Sequence, residues 1–569
     1  MAKMSAMQAA CRVMESEGVQ IAFGVPGAAI LPLYQALMKS SIKHLTMRHE
    51  EGATHAAEGI SRSTGKVGVA IGTSGPAGTN MVTGLYTAIA DSIPLITITG
   101  QVPRAQLHRE GFQAVDIATI VKPVVKKSYL VMEPAQVPYV FREAFRIARE
   151  GRPGPVHIDL PLDVQKAIIE YDPETDAPLQ VFKPGPNLLA IAKAVDLILS
   201  AQRPLILAGG GIISADASDL LVKFAEYLQV PVSPTLMGWG SIPADHPLYA
   251  GRVGIQTNSR GGNQVFLESD LVVAITARFA ERHTGDLTVY TKGRKFIQID
   301  IEPTQIGKIL QPDLGIVSDA GEALKALIKV AKAKSAARQA GAWVTRVQEC
   351  TRTLYRRTDF DDVPIKAPRI FQEINEFFGK DTIFVTAIGL YQISSGQFQK
   401  VFKPRTYLCC GQAGPLGWEI PACIGVKKAR PDKQVVGIVG DYSFQFLMEE
   451  VAVAAQYQVP YVLIMLNNTN LGLIRQAEKY GYDMRYEIDL GFGPGDVGVD
   501  FCKAMEAMGG DGRTVTQPEE MKKAFAWAVK RSKQIKAPVL VEIRMEKDNE
   551  VAMGPSLDKI KEPHPLPEL

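Results

Sequence analysis

Two short apolar runs in the last third of the chain end in residues that could do chemistry together. VVGIVG ends at Asp441 and YVLIML ends at Asn467 and Asn468, with a helical stretch over 444–457 and Pro460 between them. That pattern is a βαβ unit, whose strands are parallel and joined by a right-handed crossover. Asp441 and Asn468 therefore stand at the carboxyl ends of two strands of one sheet, where open α/β sheets bind ligands. A carboxylate, an amide oxygen and the backbone carbonyl of Asn470 make a hard-oxygen set suited to Mg²⁺, which fills its octahedron with water and phosphate oxygens. The N–H groups of Tyr442 and Ser443, at the start of the helix, can cradle a diphosphate. Either pair alone reads as a strand-end turn. Both at crossover spacing read as a metal-bound diphosphate site in an enzyme.

Three further stretches belong with it. RHEEGATHAAEG (48–59) opens a helix after KHLTM and puts Glu50 near the helix start, where a carboxylate also serves as an ordinary dipole partner. GTSGPAGTN (72–80) and CGQAGPLGWEIPA (410–422) are glycine-rich turns leading into helices. One such turn says little, but these with the metal unit form a constellation.

Elements able to position these residues recur along the chain. VGVAIGTSG, PLITITGQ and PVHIDLP read as buried strands early on, PLILAGG, LVVAITA and KFIQIDI in the middle, and TIFVTAIG, VVGIVGD, YVLIMLNN and PVLVEIR towards the end. Short Val/Ile runs alternating with helical stretches predict three doubly wound, parallel-sheet α/β domains. Linkers rich in proline and acid at 171–187 and 356–368 divide them into residues 1–170, 188–345 and 366–550, followed by a proline-rich tail at 551–569, read as an ordered lid or a frayed end. The first residues, MAKMSAMQAACRVMESEG, predict an amphipathic helix and not a signal peptide. No apolar run reaches the ~18 residues of a spanning helix. A net charge of +3 without long single-sign blocks gives no footprint for nucleic acid or a membrane surface. Six cysteines without CxxC spacing read as reduced and structural. The expectation is a cytoplasmic protein.

The order GVPGAAILPLY, RHEEGATHAAEG, GTSGPAGTN, GQVPR, GQAGPLGW and GDYS…NNTNLG resembles the thiamine-diphosphate enzymes of the acetohydroxyacid synthase group, over nearly the whole chain. Within that group PTLMGWGSIP, RFAERHTG, IDIEPTQIGK and NLGLIRQ are most similar to the glyoxylate carboligases. The resemblance implies a pyrimidine-binding, a central FAD-type and a diphosphate-binding domain. It implies that Asp441, Asn468 and Asn470 hold Mg²⁺ and, with Tyr442, Ser443 and the loop Ile388, Gly389, Leu390 and Tyr391, the diphosphate of thiamine. Leu416 would prop the bent cofactor, the carbonyl of Gly414 would orient its 4′-amino group, and Pro76 and Asn80 would flank the pyrimidine from another subunit. Glu50 matches the catalytic glutamate that hydrogen-bonds the pyrimidine nitrogen and promotes deprotonation of the thiazolium carbon. Shared sites imply a homodimer, and a homotetramer of two dimers. FAD, with a structural role, would take Gly209, Gly210, Gly211, Thr235, Leu236, Met237, Arg278, Arg282, Asp300, Ile301, Asp319 and Ala320. A bare Rossmann-type turn is the alternative for the glycines.

Substrate rests on fewer residues. The resemblance implies decarboxylative carboligation of two 2-oxo acids, with two glyoxylate giving tartronate semialdehyde and CO₂. Glyoxylate carboligases characteristically carry valine where this chain has Glu50, which keeps acetolactate synthesis from pyruvate as the alternative, beside carboligation of formaldehyde-like donors. Acetohydroxyacid synthases usually carry tryptophan where this chain has Ala477. Leu473, Ile474, Ala477, Ala28 and Ala29, with Phe112 and Gln113 from the partner, would line the pocket; core packing is an equal reading for Leu473 and Ile474. Glu50, Asp441 and Asn468 together argue against a non-catalytic regulatory homologue.

Overall fold

A computed structural model describes residues 2–567. It contains three parallel sheets. The first comprises Ile21–Gly24, Lys43–Thr46, Gly68–Gly72, Leu95–Gln101, Lys127–Leu130 and Pro155–Pro161; numbered in chain order, these lie 2-1-3-4-6-5. The third comprises Ile383–Thr386, Tyr407–Cys409, Val435–Gly440, Val462–Asn467, Asp511–Val515 and Val539–Arg544, and has the same order. The middle sheet, from Pro204–Ala208 to Leu314–Val317, runs 2-1-3-4-5. In all three the order reverses between strands 1 and 3, which opens a crevice at their carboxyl ends. The first and third sheets thus share a topology that no repeat in the sequence announces.

The strands read from the sequence are the central ones. Val435–Gly440 and Val462–Asn467 are buried along their whole length, covered by helices on both faces, and so appear as unbroken apolar runs. Ile21–Gly24 is hidden by its shortness, and two other strands the sequence hides are marginal. Lys127–Leu130 and Asp511–Val515 edge their sheets and are partly exposed, so they carry no such run. Two helical expectations change. Ala2–Ser5 is a strand paired antiparallel with Ile168–Tyr171, and the helix starts only at Ala6 under a Ser5 cap. The stretch 444–457 is not one helix: a short helix Asp441–Phe444 ends in a turn against Gly417, and Glu450–Gln456 begins anew.

The first and third domains meet through two helices, Glu50–Thr64 and Glu419–Ala429, in backbone contact. A Cβ on Gly59 would lie 2.4 Å from the Ala422 carbonyl oxygen, and one on Gly425 only 1.8 Å from that of Ala56. Gly425→Ala is therefore expected to force the helices apart and cost roughly 1–3 kcal/mol, read as a lowered urea midpoint.

From Val551 to Glu562 the tail is tied to the rest of the chain. Gln476 and Val551 exchange two hydrogen bonds (2.8 and 3.1 Å), as do Gln397 and Ala552 (2.7 and 3.2 Å). Arg356 pairs with Glu562 at 2.7 Å, and the Pro555 carbonyl accepts from the Asp286 N–H of the middle domain. No helix among the described residues is long and apolar enough to cross a membrane.

Candidate active site

The switch point of the third sheet lies between Ile383–Thr386 and Val435–Gly440, so residues 388–391 and 441–443 converge there. Asn468 follows the neighbouring strand. Asp441 is 4% exposed, and burial pushes its carboxyl up to about 7, against backbone N–H groups that include those of Asn468 and Tyr442. Among the described residues no Lys, Arg or His pairs with it, and no cluster of three or more His, Cys, Asp or Glu could hold a metal without help from amides and phosphates. The Asn470 carbonyl already accepts from the Gly472 N–H, while its side-chain Oδ1 is buried with no partner. A buried carboxylate without a counter-charge, and an orphaned amide oxygen two residues after Asn468, are donors of the kind a divalent cation takes. Asn467 is used otherwise, donating to Glu542 (2.7 Å) and accepting from the Thr469 N–H.

In the loop 388–391 the side chains of Leu390 and Tyr391 are buried. The Tyr391 ring fills the space beside Gly389 and Gly440, where a Cβ would come within 2.3 and 2.8 Å of it. Its hydroxyl and that of Ser443 donate to Glu419 at 3.1 and 2.8 Å. What these residues offer a ligand is backbone: helix Leu390–Phe398 begins here, and its first N–H groups have no acceptor within the helix. Gly414, at φ 63°, lies against Ile388, and Leu416 is half-buried.

In the first domain Glu50 opens its helix and is 9% exposed, and Asn80 donates to its Oε2 at 2.9 Å. Pro76 is exposed, and Gln113 folds over Gly75. Sequence reasoning missed Glu450. This fully buried carboxylate of the third domain accepts the N–H groups of Arg48 and His49 at 3.1 Å, immediately before Glu50. The only signal is an acid heading the small, apolar run VAVAA. Burial pushes its carboxyl up to about 8. A carboxyl raised in the folded state favours folding while protonated, and that stability is lost as pH climbs from its unfolded value of 4.5 through about 8. Glu450→Gln keeps the acceptor and should flatten this decline, a result checked by urea midpoints at pH 5.5 and pH 8.

No hydrogen bond or ion pair joins Glu50 to Asp441, Asn468 or Asn470 among the described residues. Of the pocket residues, Leu473 packs with Leu390, Ile393 and Val551, whereas Ile474 (53%), Phe112 (86%), Ala28 and Ala477 are exposed. The Ala29 carbonyl accepts from Gln165.

In the middle sheet Gly209, Gly210 and Gly211 lie at the switch point, with Thr276 pressed against the first and last and Met237 against Gly210. The Thr276 hydroxyl is buried without a partner. Thr235 bonds the Ala208 carbonyl, Leu236 and Ile301 are half-buried, and Arg278 donates to the Ala90 carbonyl. Arg282 is exposed. Asp300 accepts from the Glu302 N–H, and Asp319 caps the helix that begins at Ala320.

Three parallel-sheet α/β domains, the first and third alike in strand order, are those of the thiamine pyrophosphate enzymes, and the chain belongs to that family. Residues 4–120 match its N-terminal TPP binding domain, 191–327 its central domain and 387–543 its C-terminal TPP binding domain. The chain is 52% identical to a glyoxylate carboligase of Escherichia coli O157:H7, over 99% of its own length and 96% of that protein. It is 38% identical to a probable acetolactate synthase large subunit of Methanocaldococcus jannaschii (97% and 94% covered). Against an acetolactate synthase large subunit of Corynebacterium glutamicum it is 37% identical (96% and 88%).

Proposed function

We propose that this chain joins two glyoxylate molecules with loss of CO₂, giving tartronate semialdehyde. The observation that carries the reading is the 52% identity, nearly end to end, to a glyoxylate carboligase, against 38% to an acetolactate synthase. Thiamine diphosphate, when bound, supplies the carbanion stabilisation this reaction needs. Asp441, Asn468 and Asn470 hold Mg²⁺ and through it the diphosphate, with the backbone of residues 388–391 and 441–443 closing round it. The Gly414 carbonyl and Leu416 orient the aminopyrimidine, and Pro76 and Asn80 flank it. Glu50, itself held by Asn80, holds and moves the proton at the pyrimidine ring nitrogen.

Glu50 and Asp441 belong to different domains and do not touch within one chain. The family resemblance sets Glu50 of one subunit against Asp441 of another, in a homodimer and a tetramer of such dimers. Phe112, Phe446, Ile474, Tyr482, Tyr486 and Phe492 are exposed in the single chain, as apolar side chains that a subunit interface would cover. Leu473, Ile474, Ala477, Ala28 and Ala29, with Phe112 and Gln113 contributed by the other subunit, line the substrate pocket, and the cytoplasm is where it works. The middle crevice holds FAD structurally, Thr276, Arg278 and Asp300 offering it polar partners; flavin released on denaturation tests this.

Acetolactate synthesis is the second reading, favoured by one feature: the glutamate at position 50. Initial rates on glyoxylate and on pyruvate, from one cofactor-loaded preparation, decide between them. Glyoxylate should be the faster, and a strong preference for pyruvate would overturn the proposal. No CO₂ release from any 2-oxo acid would end both.

A further inference from the structure

The loop 410–418, which carries Gly414 and Leu416, is gripped from outside its own domain. Asp91 of the first domain accepts the N–H groups of Gly411 (2.8 Å) and Gln412 (3.1 Å). Arg62 donates to the Cys409 carbonyl (2.9 Å) and lies over the Trp418 ring at 5.2 Å, so the loop is held at both ends. Arg62 also pairs with Asp91 (3.1 Å) and, through two bonds, with Glu58 (3.1 and 2.8 Å). The side chains of Arg62, Asp91 and Glu58 are 3%, 0% and 0% exposed. From the middle domain, Met237 approaches Cys409 at 3.9 Å, and Arg278 comes within 3.9 Å of Asp91.

A buried ion pair returns little net stability, because desolvation offsets the attraction. This one converges instead on the backbone of one loop. We propose that Arg62 and Asp91 are positioning residues: the first domain fixes the backbone that carries Gly414 and Leu416, and affinity for thiamine diphosphate depends on a carboxylate that touches neither cofactor nor substrate. Asp91 presents one oxygen to each of two successive N–H groups. An amide cannot replace it, since its NH₂ would face an N–H donor. The inference rests on the role given above to the loop.

The test is Asp91→Asn in the full chain. Thiamine diphosphate is titrated with Mg²⁺ present and followed by tryptophan fluorescence, with Trp418 at the end of the loop as reporter. Amide hydrogen exchange over 410–418 is measured without cofactor. The variant should still melt cooperatively, bind about tenfold or more weakly, and exchange faster at Gly411 and Gln412. Its kcat at saturating cofactor should move by less than about threefold. Unchanged affinity and exchange in the folded variant overturn the proposal. If Asp91→Asn does not fold, Asp91→Glu carries the test, because it keeps the charge beside Arg62 but displaces both oxygens. Weakened binding then supports positioning, and parental binding overturns it. A parent chain that binds no thiamine diphosphate overturns the loop's role and this inference together, and is told apart by needing no variant.

Discussion

Replacing Glu50 by glutamine is expected to slow turnover by about 10²–10⁴-fold while leaving the protein folded and its cofactor affinity nearly unchanged. Glutamine keeps an oxygen for Asn80, which donates to Oε2 at 2.9 Å, so the local packing survives. What it loses is the ability to take and return a proton at the ring nitrogen. Steady-state kcat, with a cofactor titration alongside, checks both halves of the expectation; near-parental turnover would refute the role. Glu50→Val sharpens the substrate question. On the glyoxylate reading valine changes which step limits the rate without abolishing turnover, so measurable tartronate semialdehyde formation is the expected result. Complete loss would mean that this chain depends on the carboxylate throughout.

Asp441→Asn should be as severe, by a different route. Removing one partner of a buried charge pair costs about 3–5 kcal/mol, which is a loss of about 10²–10³-fold or more in cofactor affinity. The same change should leave the cofactor-free protein as stable as the parent, or more so at alkaline pH. Burial raises this carboxyl to about 7, so the parent's stability contribution is present at low pH and lost as pH rises through that value. Asparagine has no such loss. Calorimetric titration with Mg²⁺ and thiamine diphosphate, paired with urea midpoints at pH 5.5 and pH 8.5, separates a lost ligand from a damaged fold. Parental affinity would remove Asp441 from the metal site.

Much of this site is legible in the sequence because each part ends a buried strand. Asp441, Asn468 and the glycines at 209–211 follow Val/Ile runs, and the reversal of strand order brings such ends together in every sheet. The supporting residues are not legible in that way. Glu450, Asp91 and Arg62 act on backbone hundreds of positions away, and nothing local distinguishes an acid that caps its own helix from one that reaches another domain. The break after Asp441–Phe444 is hidden too, because Leu447 and Met448 stand three and four residues after Phe444, at helical spacing.

The contact beneath Glu50 also constrains how such a sequence can vary. A Cβ at Gly52 would fall 2.3 Å from Glu450 Oε1, which itself holds the amides of Arg48 and His49. A methyl group at position 52 would push the Glu450 carboxylate aside, and a displaced carboxylate would loosen its hold on the turn before Glu50. The room beside residue 52 and the grip on the amides before Glu50 are thus set by one side chain of another domain, so a change at either position is felt at the other.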